Sequence, residues 1–263
     1  MIVRAALCPS PPLLARALTG RAAILPELRD ACAAAVARLV SGPPDPAGAL
    51  DLVGGALDLP GGPPDLVGGA PDLVVVVGAG AATATWDPDD RLDLSAYAPA
   101  VGTPAGASAA GSRVKPGLPL ALGLGALLLN GAGYTGPRLL QAVDESEPAG
   151  ACLRLGRELA GAAARVAMLA VGDGSARRAP SAPGYFDERA APFDDAVRHA
   201  VGNGDMAALA GLDPALARDL MATGRAAWQV MAGAMGTSTR PRTEVRYADA
   251  PFGVAYLVAV LYP

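Results

Sequence analysis

The sequence predicts a single α/β domain, with a central mixed or parallel sheet flanked by helices. Three observations predict it. Short runs dominated by apolar residues, Ile2 to Leu7, Leu73 to Val77 and Val166 to Val171, read as strands, Leu73 to Val77 as one buried on both faces. Segments with apolar residues at helical spacing separate these runs, and strands alternating with helices are the mark of α/β architecture. No linker of distinct composition parts the 263 residues into two cores, so the domain is expected to span 1–263.

Ile2 to Leu7 is expected to form the first strand, stopped by Cys8-Pro9. A helix is expected from Pro26, a favoured first-turn residue, with Leu28, Cys32, Ala35, Val36 and Leu39 on one face and an end at Ser41-Gly42-Pro43. Residues 43–71 read as a low-complexity loop insertion. Within it Asp51 to Leu59 recurs as Asp65 to Leu73, eight of nine positions matching at an offset of 14. Two copies do not make a solenoid, which needs at least three, so the repeat reads as a duplication in a surface loop. Leu73 to Val77 is expected to be a central strand ended by Gly78-Ala79-Gly80. Pro119 to Leu129 reads as a buried helix capped by Asn130-Gly131. A helix over Pro148 to Arg165 should feed the strand Val166 to Val171. Pro192 to Val201 reads as a short amphipathic helix, and Pro214 to Met235 as helical with a break near Gly224. Glu244 and Arg246 alternate with Val245 and Tyr247 as on the outer face of a strand, and Val254 to Tyr262 is expected to be the last strand.

Bulk properties exclude several classes of function. Apolar residues make up 52% and aromatics only 4%, so Ala, Val and Leu must fill the core. The net charge of −4 comes without basic clustering, which speaks against a nucleic-acid surface. The apolar stretch Leu118 to Leu129 is shorter than the ~20 residues a membrane span needs, so no membrane partner is expected. The start of the chain does not read as a signal peptide, because Ile2 to Leu7 is too short and Pro9, Pro11 and Pro12 cut the run off. The three cysteines, Cys8, Cys32 and Cys152, have neither metal-like nor disulfide-like spacing and suit the cytoplasm.

Four stretches carry a resemblance: Cys8 to Leu14, Val171 to Arg178 (Val-Gly-Asp-Gly-Ser-Ala-Arg-Arg), Ala182 to Asp187, and Ala250 to Tyr256. Together they resemble the class III extradiol ring-cleavage dioxygenase B-subunit (LigB) superfamily, which also holds the Memo-like proteins. The likeness is strongest to an actinobacterial branch of subunit-B-like proteins and covers nearly the whole chain apart from 43–71. The resemblance implies an oxidoreductase that cleaves catechol-like rings with Fe(II), held by two imidazoles and one carboxylate, while a further histidine acts as acid and base. This chain departs from that requirement. The first imidazole falls on Ser10, the second on Ala81, and the acid/base histidine on Ala176. Asp249 is the nearest acid to the carboxylate position. The chain's one histidine, His199, falls off the apolar face formed by Phe193, Val197, Ala200 and Val201, and reads as a solvated surface residue.

A polar constellation remains where open α/β sheets place ligands, at the carboxyl ends of strands. Asp173 and Ser175 sit among glycines, and Arg177 and Arg178 come next; paired guanidiniums suit carboxylate or phosphate, although a turn with two solvated arginines reads equally well. Ser175 lacks a histidine base and is not a nucleophile elbow. Trp86 stands five residues beyond Ala81 and is a candidate to line the same pocket. The expected function is that of an extradiol-dioxygenase-like protein without the standard iron site and with no cofactor. It would bind a small anionic or aromatic molecule, or a protein partner. The alternative is an active dioxygenase that keeps Fe(II) through atypical ligands.

Overall fold

The computed structural model describes residues 1–20, 24–41, 69–94, 97 and 117–263. The elements in chain order are β1 (Ile2–Cys8), α1 (Arg16–Thr19), α2 (Pro26–Ser41), β2 (Leu73–Gly80), β3 (Ala84–Trp86), α3 (Leu120–Gly131), β4 (Arg138–Asp144) and α4 (Ala149–Ala160). They continue as β5 (Val166–Val171), α5 (Ala190–Gly202), α6 (Met206–Ala210), α7 (Pro214–Asp219), α8 (Arg225–Met235), β6 (Arg242–Asp249) and β7 (Tyr256–Tyr262). A single-turn 3-10 helix, Pro12–Leu14, precedes α1. The strands form one seven-stranded mixed sheet in the order β3-β4-β2-β5-β1-β7-β6. The four strands β4, β2, β5 and β1 run parallel, while β3 at one edge and the β6–β7 hairpin at the other run antiparallel. No helix among the described residues is long and apolar enough to cross a membrane.

The apolar runs are continuous because both faces of the sheet are covered. Side chains alternate between faces along a strand. Leu7, Val75, Val77, Met168 and Ala170 point toward the core formed with α4, α5 and α8. Ala6, Cys8, Val74, Val76 and Leu169 point toward the core formed with α2 and α3. The predicted α2 and β5 agree with the structure, and Leu28, Cys32, Ala35, Val36 and Leu39 are the buried stripe of α2. The predicted break near Gly224 separates α7 from α8.

Several boundaries differ. Gly78-Ala79-Gly80 does not end β2 but continues it, in parallel register with Ala142, Val143 and Asp144. The glycine at 78 serves close approach: a Cβ there would lie 2.5 Å from the Ala121 Cβ of α3. α4 ends at Ala160 with Gly161 as its cap, short of the predicted Arg165. β4 is a strand that the apolar pattern did not signal, because polar Gln141 interrupts it. Gln141 is buried but satisfied: its Oε1 accepts from Thr85 Oγ1 at 3.1 Å across the edge, and its Nε2 donates to Ala142 O at 2.8 Å. Arg4 is likewise buried within β1, donating from Nε to Leu39 O at 3.0 Å and from Nη2 to Gly69 O at 2.8 Å. The duplicated segment of the expected insertion at 43–71 lies largely outside the described residues.

Candidate functional site at the ends of the parallel strands

The four parallel strands deliver their carboxyl ends to one edge of the sheet. Ser10 comes after β1, Ala81 after β2 and Asp173 after β5, while Asp144 ends β4 and Glu145 follows it. The turn before α8 adds Thr223. These residues line a cleft of ≈ 740 Å³, whose apolar walls include Pro12, Pro119 and Tyr97. Ser10, Ala81 and Asp173, distant in sequence, thus share one cavity.

Asp173 is the best-held group there. Its Oδ1 accepts the Ser10 N–H at 2.6 Å. Its own N–H donates to Thr223 Oγ1 at 3.0 Å, and its carbonyl accepts from Gly224 N at 2.8 Å. Gly172 and Gly224 allow the two turns to touch, since a Cβ at Gly172 would lie 2.5 Å from Gly224 Cα. Burial pushes the Asp173 carboxyl up to about 6, against the Ser10 N–H that favours the charged form. Burial, and then the neighbouring Asp173 charge, raises the Tyr256 phenol well above the ordinary tyrosine value. At the rim Asp144 behaves oppositely. The Ser146 hydroxyl and N–H both donate to its Oδ1, at 2.6 and 2.7 Å, and hold its carboxyl below the usual value. The cleft therefore offers a carboxylic acid poised near neutrality beside a charged carboxylate, and among the described residues no lysine or arginine lines it.

The raised value sets a stability test. Unfolded, an aspartate titrates near ~3.9, so from about pH 4 to about 6 the folded chain holds a proton that the unfolded chain has released. Stability from this group therefore falls as pH rises through that window, and the penalty is complete above it. Asp173→Asn keeps an acceptor oxygen for the Ser10 N–H and removes the penalty. In melts across the window the variant should match wild type near its acid end and become progressively more stable toward neutral pH. A difference independent of pH would contradict this account of Asp173.

The other predicted residues do not join the cleft. Ser175 is fully buried, its Oγ donating to Asp194 Oδ2 at 2.6 Å and its N–H to Asp194 Oδ1 at 2.8 Å. The side chain expected to face a ligand therefore ties the turn to α5 instead. Arg178 meets the same Asp194 at 3.5 Å and, with Asp249, lines a second and smaller cavity. Arg177 lines neither; its Nε is buried without an acceptor. Ala176 is buried, with its N–H on Leu220 O at 2.9 Å. Trp86 pairs with Leu140 on the edge strand and packs against the α2–α3 core, so it does not line the cleft. His199 is exposed on α5, its Nδ1 2.6 Å from Asp195 O. Asp144, Glu145 and Thr223 escaped the sequence reading because the acids stand at the end of a strand that went unrecognised and Thr223 sits in an unremarked turn. Asp194 escaped because it reads as the polar face of an amphipathic helix.

The residues present do not fit the iron centre that the resemblance implies. Ser10, Ala81 and Ala176 provide no imidazole, and among the described residues no three His, Cys, Asp or Glu side chains converge to hold a metal ion. Cys8 is no substitute. The Cys32 thiol and burial push its own thiol well above the ordinary value, so it stays protonated.

No family model matches this chain, and no curated protein matches it either. Among solved structures, the uncharacterized protein JW3007 from Escherichia coli K12 aligns at 16% identity with a TM-score of 0.46, over 73% of this chain and 86% of that one.

Proposed function

We propose that this chain is an extradiol-dioxygenase-like protein that has lost its iron centre and uses the inherited cleft to bind a small hydroxylated aromatic molecule. One observation carries the reading: Ser10 and Ala81, at the positions where the resemblance puts two imidazoles, line the same cavity as Asp173. The lining chooses between the ligand classes expected from sequence. Asp144, Glu145 and Asp173, with no basic side chain among the described lining residues, disfavour an anion, because like charges repel. Phenolic hydroxyls suit them, since a carboxylate accepts the O–H while Pro12, Pro119 and Tyr97 cover the ring. The free, buried cysteines are in keeping with a cytoplasmic setting.

A second reading, a proton-transfer enzyme acting without metal, draws support from Asp173, whose carboxyl titrates at about 6 inside the cleft. Both readings require that the cleft bind its ligand. Titration calorimetry with catechol and with protocatechuate should show catechol bound and the carboxylated ring bound more weakly. Ala81 is exposed, so Ala81→Trp should fill the cleft without disturbing the core, and weaken catechol binding about tenfold or more. Absence of catechol binding, or equal binding by the tryptophan variant, would refute the proposal.

A further inference from the structure

A second cavity, of ≈ 180 Å³, lies between the turn after β5, α5 and the β6–β7 hairpin, lined by Gly174, Arg178, Asp194, Trp228, Asp249 and Tyr256 among others. A dry cavity of about 150 Å³ admits benzene, so this one has room for a molecule of similar or slightly larger size. Most of its charges are already spent. Both Asp194 oxygens accept from Ser175, at 2.8 and 2.6 Å. Asp195 pairs with Arg198 at 3.3 Å. Two charged groups are left with unused capacity. Arg178 reaches Ala191 O and Asp194 Oδ2 only through Nη1, each at 3.5 Å, so the other donors of its guanidinium meet no described group. Asp249 accepts its neighbour's N–H on Oδ1 at 2.7 Å, which leaves Oδ2. Trp228 forms part of the apolar wall.

Arg178 and Asp249 carry opposite charges on one cavity and make no ion pair with each other. A free anion would meet Arg178 but also face Asp249, and a free cation would have the reverse difficulty. We infer that the cavity binds a small zwitterion of the amino-acid type, with its carboxylate on the Arg178 fork and its ammonium on Asp249. A guanidinium presents two parallel donors to a carboxylate. The site is distinct from the cleft at Ser10 and Ala81, and the inference stands whether or not that cleft binds phenols.

Titration calorimetry on the full chain at low ionic strength tests it, with L-alanine and β-alanine as probes and acetate and ethylammonium as half-ligands. At least one amino acid should bind, each half-ligand being about tenfold weaker or more. Asp249→Asn, at an exposed strand end, should weaken binding about tenfold. Arg178→Lys, which keeps the charge but loses the fork, should do so too. Catechol should not displace the amino acid, which separates this site from the phenol cleft. The inference is overturned if neither amino acid binds, if acetate binds as tightly, if Asp249→Asn has no effect, or if catechol competes.

Discussion

Gly156→Ala is expected to destabilise the fold by about 3 kcal/mol, against the helix propensity of the substitution. In an exposed helix interior, Gly to Ala gains up to ~1 kcal/mol. Here Gly156 of α4 faces the backbone of α8. Its Cβ would overlap the Val230 carbonyl oxygen and lie 2.7 Å from Ala234 N. Gly233 of α8 stands in the reciprocal position, where a Cβ would overlap Leu153 O and lie 2.7 Å from Leu153 Cα. Neither obstacle is a side chain that can rotate away, so the helices must separate. Separation loosens the buried layer that includes Cys152, Trp228 and Met231. At roughly 2–4 °C per kcal/mol for a chain of this size, the melting temperature should fall by about 6–12 °C. Urea denaturation measures the change directly, and a variant as stable as wild type would show that the α4–α8 contact is not the tight one described.

Arg225→Leu should be comparably severe and should also reach the cleft. Arg225 opens α8 and is buried, yet both terminal nitrogens of its guanidinium are bonded. Nη1 donates to Glu147 O at 2.7 Å and to Gln229 Oε1 at 3.0 Å, and Nη2 donates to Glu145 O. Leucine fills similar space but leaves these acceptors unpaired, at ~1–3 kcal/mol for each one that stays buried, so a loss of about 3 kcal/mol or more is expected. The carbonyls belong to the turn after β4, and Glu145 of that turn lines the cleft. Catechol binding should therefore weaken along with stability. Arg225→Lys, a point charge with compact donors, should recover part of the stability and less of the binding, because it cannot span both carbonyls. Equal stability of the leucine variant would mean that water satisfies the turn.

The sheet was legible wherever burial on both faces left an uninterrupted apolar run, as in β2 and β5. It was illegible in β4, where polar Gln141 is satisfied by Thr85 of the neighbouring strand, a contact between segments far apart in sequence. Glycines misled at Gly78, where close approach to Ala121 rather than a turn requires the missing side chain. The candidate site was half legible. Ser10, Ala81 and Asp173 stand just past strand ends and fall together. The sequence could not show that Ser175 turns inward to Asp194, because a serine between glycines reads the same whether it faces ligand or core. Nor could it show that Arg177 and Arg178 diverge, which depends on Gly184 packing against one and Asp194 holding the other.

The proposal depends on the absence of an iron centre in a cleft whose shape is retained. Elemental analysis of protein purified without chelators, combined with oxygen uptake on catechol after Fe(II) addition, tests it most directly. The account predicts iron far below one equivalent per chain and no uptake above the protein-free rate. Iron near one per chain together with catechol-dependent oxygen consumption would contradict it.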